Sequence, residues 1–218
     1  MKKLILLPIL LVTLPSCIAT GTTNPLCVTT QQHSNEYSIT AAGGYTPESL
    51  TALFAAAQDV AHKHPSTGYR MTTGIITPSD TQQTALVTLH LSGTPGKVTD
   101  VAGGNAACIF CTPTTTILFD DGVVRVIKKP GNRPGTDILI IPTRHMVNID
   151  VLDFNTSADQ DLVKHIATIA GKIAQHLKGT DKRYHLMTNA GIYQGVYHLH
   201  VHFKADAILD EQGFMQSR

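Results

Sequence analysis

One stretch constrains this chain more than any other: Tyr197-His198-Leu199-His200-Val201-His202-Phe203. Histidines alternate with apolar residues at a period of two, which is the period of an extended strand. On a strand, His198, His200 and His202 share one face, and Leu199, Val201 and Phe203 share the other. Three imidazoles in a row suit a core poorly, because each carries two ring nitrogens that need partners when buried. They suit a site well. Same-face neighbours stand ~7 Å apart, so one imidazole can hold a metal while the next meets a substrate. The pattern predicts a strand from Gln194 to Phe203 with its apolar side on a core and its histidine side on a functional site.

The rest of the chain predicts a frame for that strand. Thr46-Pro47-Glu48 reads as a helix start, with Thr as N-cap and Pro at the first position. Leu50, Leu53, Phe54, Ala57, Val60 and Ala61 then fall at helical spacing. Tyr69 to Thr73 and Leu86 to Leu91 follow as strands. A second unit repeats this order. Ser157 with Gln160 fits a capping box, Leu162, Ile166, Ile169, Ile173 and Leu177 line a helix face, and Gly179 stops it. Tyr184 to Thr188 follows as a strand, then the histidine strand. Between the units, Gly103-Gly104-Asn105 marks a boundary. Thr115 to Phe119 and Val123 to Ile127 flank Asp120-Asp121-Gly122 as a hairpin, and Ile138 to Ile141 is a buried strand. The fold class is α+β: an antiparallel sheet with packed helices, arranged as an internal duplication with a worn first copy or as two units that share a generic pattern. In the first copy, Gln83 to Ser92 resembles the histidine strand with one histidine left, and register decides whether His90 or Leu89 takes the place of His200.

The amino terminus reads as an export leader. Lys2 and Lys3 precede an apolar run from Leu4 to Leu14, too short to span a bilayer comfortably. Leu14-Pro15-Ser16-Cys17 resembles a bacterial lipoprotein signal, in which Cys17 is lipidated and tethers the chain to a membrane. An ordinary cleaved signal, giving a periplasmic protein, and an uncleaved anchor fit the same residues. If the run is no signal, the chain is cytoplasmic. The expected organisation is a signal over 1–17, a polar linker over 18–35, a degenerate half over 36–100 and an intact domain over 106–210. Cys27 has no assigned role. With 17 Lys and Arg against 16 Asp and Glu, the net charge of +1 gives no electrostatic case for nucleic acid.

The histidine stretch resembles the motif of the histidine-triad (HIT) family. Asn189, Gly191, Gln194 and Val196 fall as that family's Asn, Gly, Gln and Val do before the triad. Cys108-Ile109-Phe110-Cys111 resembles its opening Cys pair, Ile117 to Asp121 its first hairpin, and Pro134-Gly135 through Ile138 to His145 its Pro-Gly, strand and Pro-Lys-x-His segment. The resemblance spans about residues 106–205. It implies a unit that pairs with a second copy, here as a homodimer or as a pseudo-dimer within one chain. It also implies cleavage of a nucleoside phosphoramidate or phosphoanhydride, by hydrolysis or transfer, through a nucleotidyl-histidine on His200. His202 would position or polarise the phosphate, Gln194 and Asn189 would donate hydrogen bonds, and Gly191 and Gly195 would let backbone amides approach. From the zinc-bearing branch of the family, Cys108, Cys111, His145 and His198 are the implied structural zinc ligands. A disulfide between the two cysteines is the alternative.

The chain departs from the family in ways that bear on substrate. Lys128-Lys129 stands where an acidic residue holds the ribose hydroxyls, and Asp137 where a fourth histidine is usual. The loop from Gly191 to Gln194 is short. These departures keep two rivals in view: a non-catalytic, zinc-stabilised module that binds a nucleotide or a protein, and a metal-handling protein that uses the triad itself as ligands.

Overall fold

The computed structural model describes residues 14–18, 26–64, 66–78, 80, 83–93, 108–112, 116–129 and 135–217. The leader up to residue 13, the Gly103-Gly104-Asn105 boundary and Pro134 lie outside the described residues.

In chain order the first half holds β1 (Leu14–Ile18), β2 (Leu26–His33), β3 (Glu36–Ala41), α1 (Pro47–Lys63), β4 (Gly68–Thr73) and β5 (Ala85–Leu91). The second holds β6 (Ile117–Asp120), β7 (Val124–Lys128), β8 (Thr136–Pro142), α2 (Ser157–Gln175), β9 (His185–Gly191), β10 (Val201–Ala205) and α3 (Glu211–Gln216). The strands form one antiparallel sheet in the order β1-β2-β3-β5-β4-β9-β10-β8-β7-β6. Read inward from either edge, the two halves have the same order, and they meet at β4 and β9. The region read as a polar linker thus contains β2, and the end of the leader supplies β1. Val28 to His33, rich in Thr and Gln, pairs with β3 although only Val28 of that run is apolar. The first half therefore has the opening hairpin that its sequence does not advertise.

Local chemistry sets the helix starts. Thr46 Oγ1 accepts from the Ser49 amide at 3.1 Å, and Ser49 Oγ accepts from the Thr46 amide at 2.8 Å. This is a reciprocal cap with serine in the place of the usual Glu or Gln. The second helix is capped by Thr156, one residue before the expected Ser157, through the Asp159 amide at 3.4 Å. Both helices cover one face of the sheet. The apolar core there runs through both halves, from Ile39, Leu53 and Met71 to Ile140, Ile169 and Phe203.

The seam between halves is close and specific. Gly191 has φ +61, and a Cβ there would stand 2.1 Å from the Thr67 carbonyl oxygen, so a side chain is excluded by both backbone and space. The Tyr69 hydroxyl donates to the Asp150 carboxylate, and Gln58 Nε2 donates to the carbonyls of Ile149 and Leu152 at 2.9 and 3.0 Å.

Registers match the halves residue by residue. Tyr69 to Thr73 corresponds in order to Tyr184 to Thr188, and Thr72 faces Met187 across the seam. Met187 pairs with His202, and Thr72 pairs with Thr88. Thr88 is thus the counterpart of His202, and Leu86, two residues earlier, that of His200. His90 takes the place of Lys204, so neither His90 nor Leu89 occupies the position of the central histidine.

Candidate active site

The face of β10 opposite the helices carries the histidines. Leu199, Val201 and Phe203 join the helix-side core, while a smaller cluster of Cys108, Phe110, Ile127, Leu139 and Ile141 packs on the other side. The alternation is as the sequence implies, but the ladder is shorter: β10 begins at Val201, not at Gln194. Upstream the chain bends, with the His198 amide donating to the Val196 carbonyl at 2.8 Å and the Leu199 amide donating to the Met146 carbonyl. Gly195 and the short turn before it break the pairing.

Cys108, Cys111, His145 and His198 come together, with one ligand atom of each within 4.8 Å of the others. Cys108 Sγ lies 3.3 Å from His198 Nδ1, and Cys111 Sγ lies 3.2 Å from His145 Nδ1. His198 Nε2 donates to the Pro142 carbonyl at 2.9 Å. That bond leaves Nδ1, the nitrogen facing the sulfurs, with its lone pair free, as outer partners of a metal-bound histidine do. The two thiols and two imidazoles make a donor set able to hold a metal ion. Burial pushes the Cys111 thiol up, and its contact with Cys108 adds to this; burial also pushes the His198 imidazole down.

His200 and His202 are buried yet both line a cavity of about 820 Å³. His200 Nδ1 donates to the His198 carbonyl at 2.7 Å. A carbonyl only accepts, so the proton sits on Nδ1 and Nε2 keeps its lone pair. Burial lowers the His200 pKa, and the charge on Lys129 lowers it further against the opposing bond to the His198 carbonyl. His202 is held down at about 4 by burial first and by the neighbouring His200 second. Its Nδ1 lies 3.4 Å from Asp137 Oδ1. Both imidazoles are neutral at neutral pH.

The other expected residues divide. Asn189 and Gly195 line the cavity; Gly191 and Gln194 do not. Gly191 serves the seam. Gln194 is buried, with Nε2 donating to the Val147 carbonyl and Oε1 lacking a partner among the described residues. Its amide fastens the turn before the histidines to the segment after β8. The two lysines also separate. Lys128 turns outward to Glu211 at 2.8 Å, while Lys129 lines the cavity and pairs with Asp137 at 3.2 Å.

Sequence reasoning missed Arg70 and Tyr193 in the cavity wall. Arg70 Nε donates to Asn189 Oδ1 at 2.9 Å, and its guanidinium carbon lies 5.3 Å from the Tyr193 ring centroid. Arg70 sits between the core residues Tyr69 and Met71, so alternation alone turns it to the histidine face. Knowing that this face meets the site requires the β4–β9 pairing, which no local pattern reveals.

Residues 107–213 match the family described as scavenger mRNA decapping enzyme C-terminal binding. A HIT family hydrolase from Clostridium thermocellum is 30% identical over 45% of this chain and 90% of that one, with a TM-score of 0.41. A uridylyltransferase, 12% identical, matches 90% of this chain and 72% of its own, with a TM-score of 0.53. An ADP-glucose phosphorylase from Arabidopsis thaliana, solved with bound ADP-glucose, is 15% identical over 78% of this chain and 62% of its own, with a TM-score of 0.52. The last two likenesses are of fold, and they extend over both halves of the sheet. No curated protein matches the chain.

Proposed function

This chain belongs to the histidine-triad family, and from that premise we propose that it is a nucleotide-handling enzyme that works through a covalent bond to His200. The observation that carries the reading is the state of that ring: Nδ1 is committed to the His198 carbonyl, so the free lone pair of Nε2 belongs to the face that lines the cavity. A neutral imidazole is a nucleophile at neutral pH, and a covalent intermediate divides one hard displacement into two easier ones. His200 attacks the α-phosphorus of a nucleotide, and water or a second acceptor then takes the nucleotidyl group. Hydrolysis and transfer share the first step and differ only in the acceptor.

Each neighbouring group has a part. The Asp137 carboxylate orients His202, whose ring lies against that of His200 with centroids 5.2 Å apart. Asn189 holds Arg70 and borders the cavity. Ile109, Phe110, Ile127, Leu139 and Val196 form an apolar wall fit for a base. Cys108, Cys111, His145 and His198 are proposed to hold zinc: the mixed thiol and imidazole set suits it, and with four protein donors the site is closed. When bound, the ion supplies cross-linking rather than reaction chemistry. It would fix the Cys108–Cys111 turn, and with it Phe110, over the histidine face.

Internal pairing of the two halves is proposed to take the place of a partner subunit. Export remains a proposal from Lys2, Lys3 and the apolar run that follows. Processing before Cys17 would remove Leu14 to Ser16 from edge strand β1. Among the described residues no helix is long and apolar enough to cross a membrane. Lipid labelling of cells expressing the wild type and Cys17→Ala tests this: a label present only in the wild type supports a tether, and no label in either removes it.

Turnover of adenosine phosphoramidate, diadenosine polyphosphates and ADP-glucose by zinc-loaded protein tests the enzymatic reading. Release of a nucleoside monophosphate, or its transfer to an added acceptor, is expected with at least one of them. A folded, metal-loaded protein that turns over none would return the balance to a binding module.

A further inference from the structure

Although the first half has Leu86 where the second has His200, it still sends one side chain into the cavity. Arg70 on β4 pairs in register with Asn189 on β9. The β9–β10 register, continued two residues past its ladder, sets Asn189 opposite His200, and the Thr188 hydroxyl donates to the His200 carbonyl at 3.1 Å beside it. Arg70, Asn189 and His200 therefore stand in one row across three strands, and all three line the cavity. Two strand spacings separate the ends of the row by roughly 10 Å along the sheet. An arginine side chain covers most of that distance.

The state of Arg70 distinguishes it from the other described arginines. Arg125, Arg144 and Arg183 each meet a carboxylate, at 2.8, 2.6 and 2.8 Å. Arg70 meets none among the described residues. Its Nε is taken by Asn189 and its plane lies near Tyr193, which fixes the group while leaving both terminal amino groups uncommitted among the described residues. Lys129, by contrast, already has the Asp137 carboxylate. A guanidinium held at one edge with its fork open is suited to two oxygens of a phosphate.

We propose that Arg70 binds the phosphate on the leaving side of the scissile bond, so that this site prefers phosphoanhydrides, namely nucleoside diphosphate esters or dinucleoside polyphosphates, over nucleoside phosphoramidates. The inference rests on the reading of His200 as nucleophile. In the first step a P–N bond forms between the α-phosphorus and His200 Nε2, and the P–O bond to the next phosphate breaks. The electron pair stays on the leaving phosphate, whose rising negative charge Arg70 neutralises. In the second step water forms a P–O bond, the P–N bond breaks with its electron pair returning to Nε2, and the water's proton passes to solvent. An amine leaving group of a phosphoramidate gains no such charge and gives the guanidinium nothing to stabilise.

The test compares kcat/KM of wild type, Arg70→Ala and Arg70→Lys on diadenosine triphosphate and on adenosine phosphoramidate. Arg70→Ala should lower the ratio of anhydride to amidate kcat/KM by roughly 30-fold to 100-fold, and Arg70→Lys should restore part of it. Remaining phosphoramidate turnover shows that the variants are folded and that the parent reading stands. An unchanged ratio in Arg70→Ala, with the wild type active, overturns the role of Arg70 alone. A wild type inactive on both substrates overturns the parent reading and this one with it.

Discussion

The two halves of the sheet share a strand order and differ in what covers the face away from the helices. In the second half, the Cys108–Cys111 turn and Phe110 lie over that face, and His198, His200 and His202 are buried beneath or beside them. In the first half the matching positions Leu86 and Thr88 are only half-buried, and His90 is exposed. Alternation on β5 and β10 is the same, so the strand pattern does not make the site. The cover makes it, by removing three imidazoles from water and walling a cavity around two of them. Among the described residues, the first half contributes to that cavity through its edge at the seam, where Arg70 crosses.

Making the second half resemble the first should have the largest effect. His200→Leu is expected to lower turnover by roughly 10⁴-fold or more, and adding Leu86→His should restore none of it, because Leu86 does not line the cavity that holds His200 and His202. Steady-state assays on both variants check this. Turnover recovered by Leu86→His would show that the strand position suffices.

Next comes core packing. Phe203, fully buried between β10 and the helices, should cost about 3–5 kcal/mol on truncation to Ala, whereas Leu86→Ala on the open face should cost roughly 1 kcal/mol. Urea unfolding of the two variants measures the gap. Equal losses would mean that the open face of the first half is covered in solution.

Removing the cysteines of the proposed zinc set should come third. Cys108→Ser with Cys111→Ser is expected to lower Tm by roughly 10 °C, corresponding to about 3 kcal/mol for a chain of this size, and to expose the turn to protease. Metal analysis should fall from one zinc per chain to none. A pair of serines without effect on Tm would argue against a bound ion holding the cover.

The pH dependence of stability is of similar size, but reached only at the acid end. His202 has a folded pKa of about 4, below its unfolded value near 6.5. The unfolded chain then binds more protons between those values, so stability is full above pH 6.5 and declines as pH falls towards 4. The loss at this position is of the order of 3 kcal/mol. Urea titrations at pH 7 and pH 4.5 on wild type and His202→Asn should show a shallower decline in the variant. His90→Ala should sit at the bottom of the scale, within 0.5 kcal/mol, because its contact with Glu36 is exposed on both sides.

What was legible in the sequence follows the same division. Periodicity identified α1, α2 and the faces of β10, since hydrophobic spacing is local. The cysteine and histidine set was readable only by resemblance, because its members are spread from Cys108 to His198 and meet through tertiary packing. The linker reading failed at β2, where polar Thr and Gln residues pair as well as apolar ones when a partner strand is present. Gln194 and Gly191 carry family positions, yet here one ties a turn and the other lets two backbones approach. Arg70 was invisible because its importance depends on a strand pairing more than a hundred residues away in sequence.

The most direct measurement is the intact mass of zinc-loaded protein quenched within milliseconds of mixing with diadenosine triphosphate or adenosine phosphoramidate, beside His200→Ala. A transient adduct of one adenylyl group is expected on the wild type, mapping to the peptide containing His200, and none on the variant. Turnover with no adduct at any quench time, or an adduct that persists in His200→Ala, would contradict it.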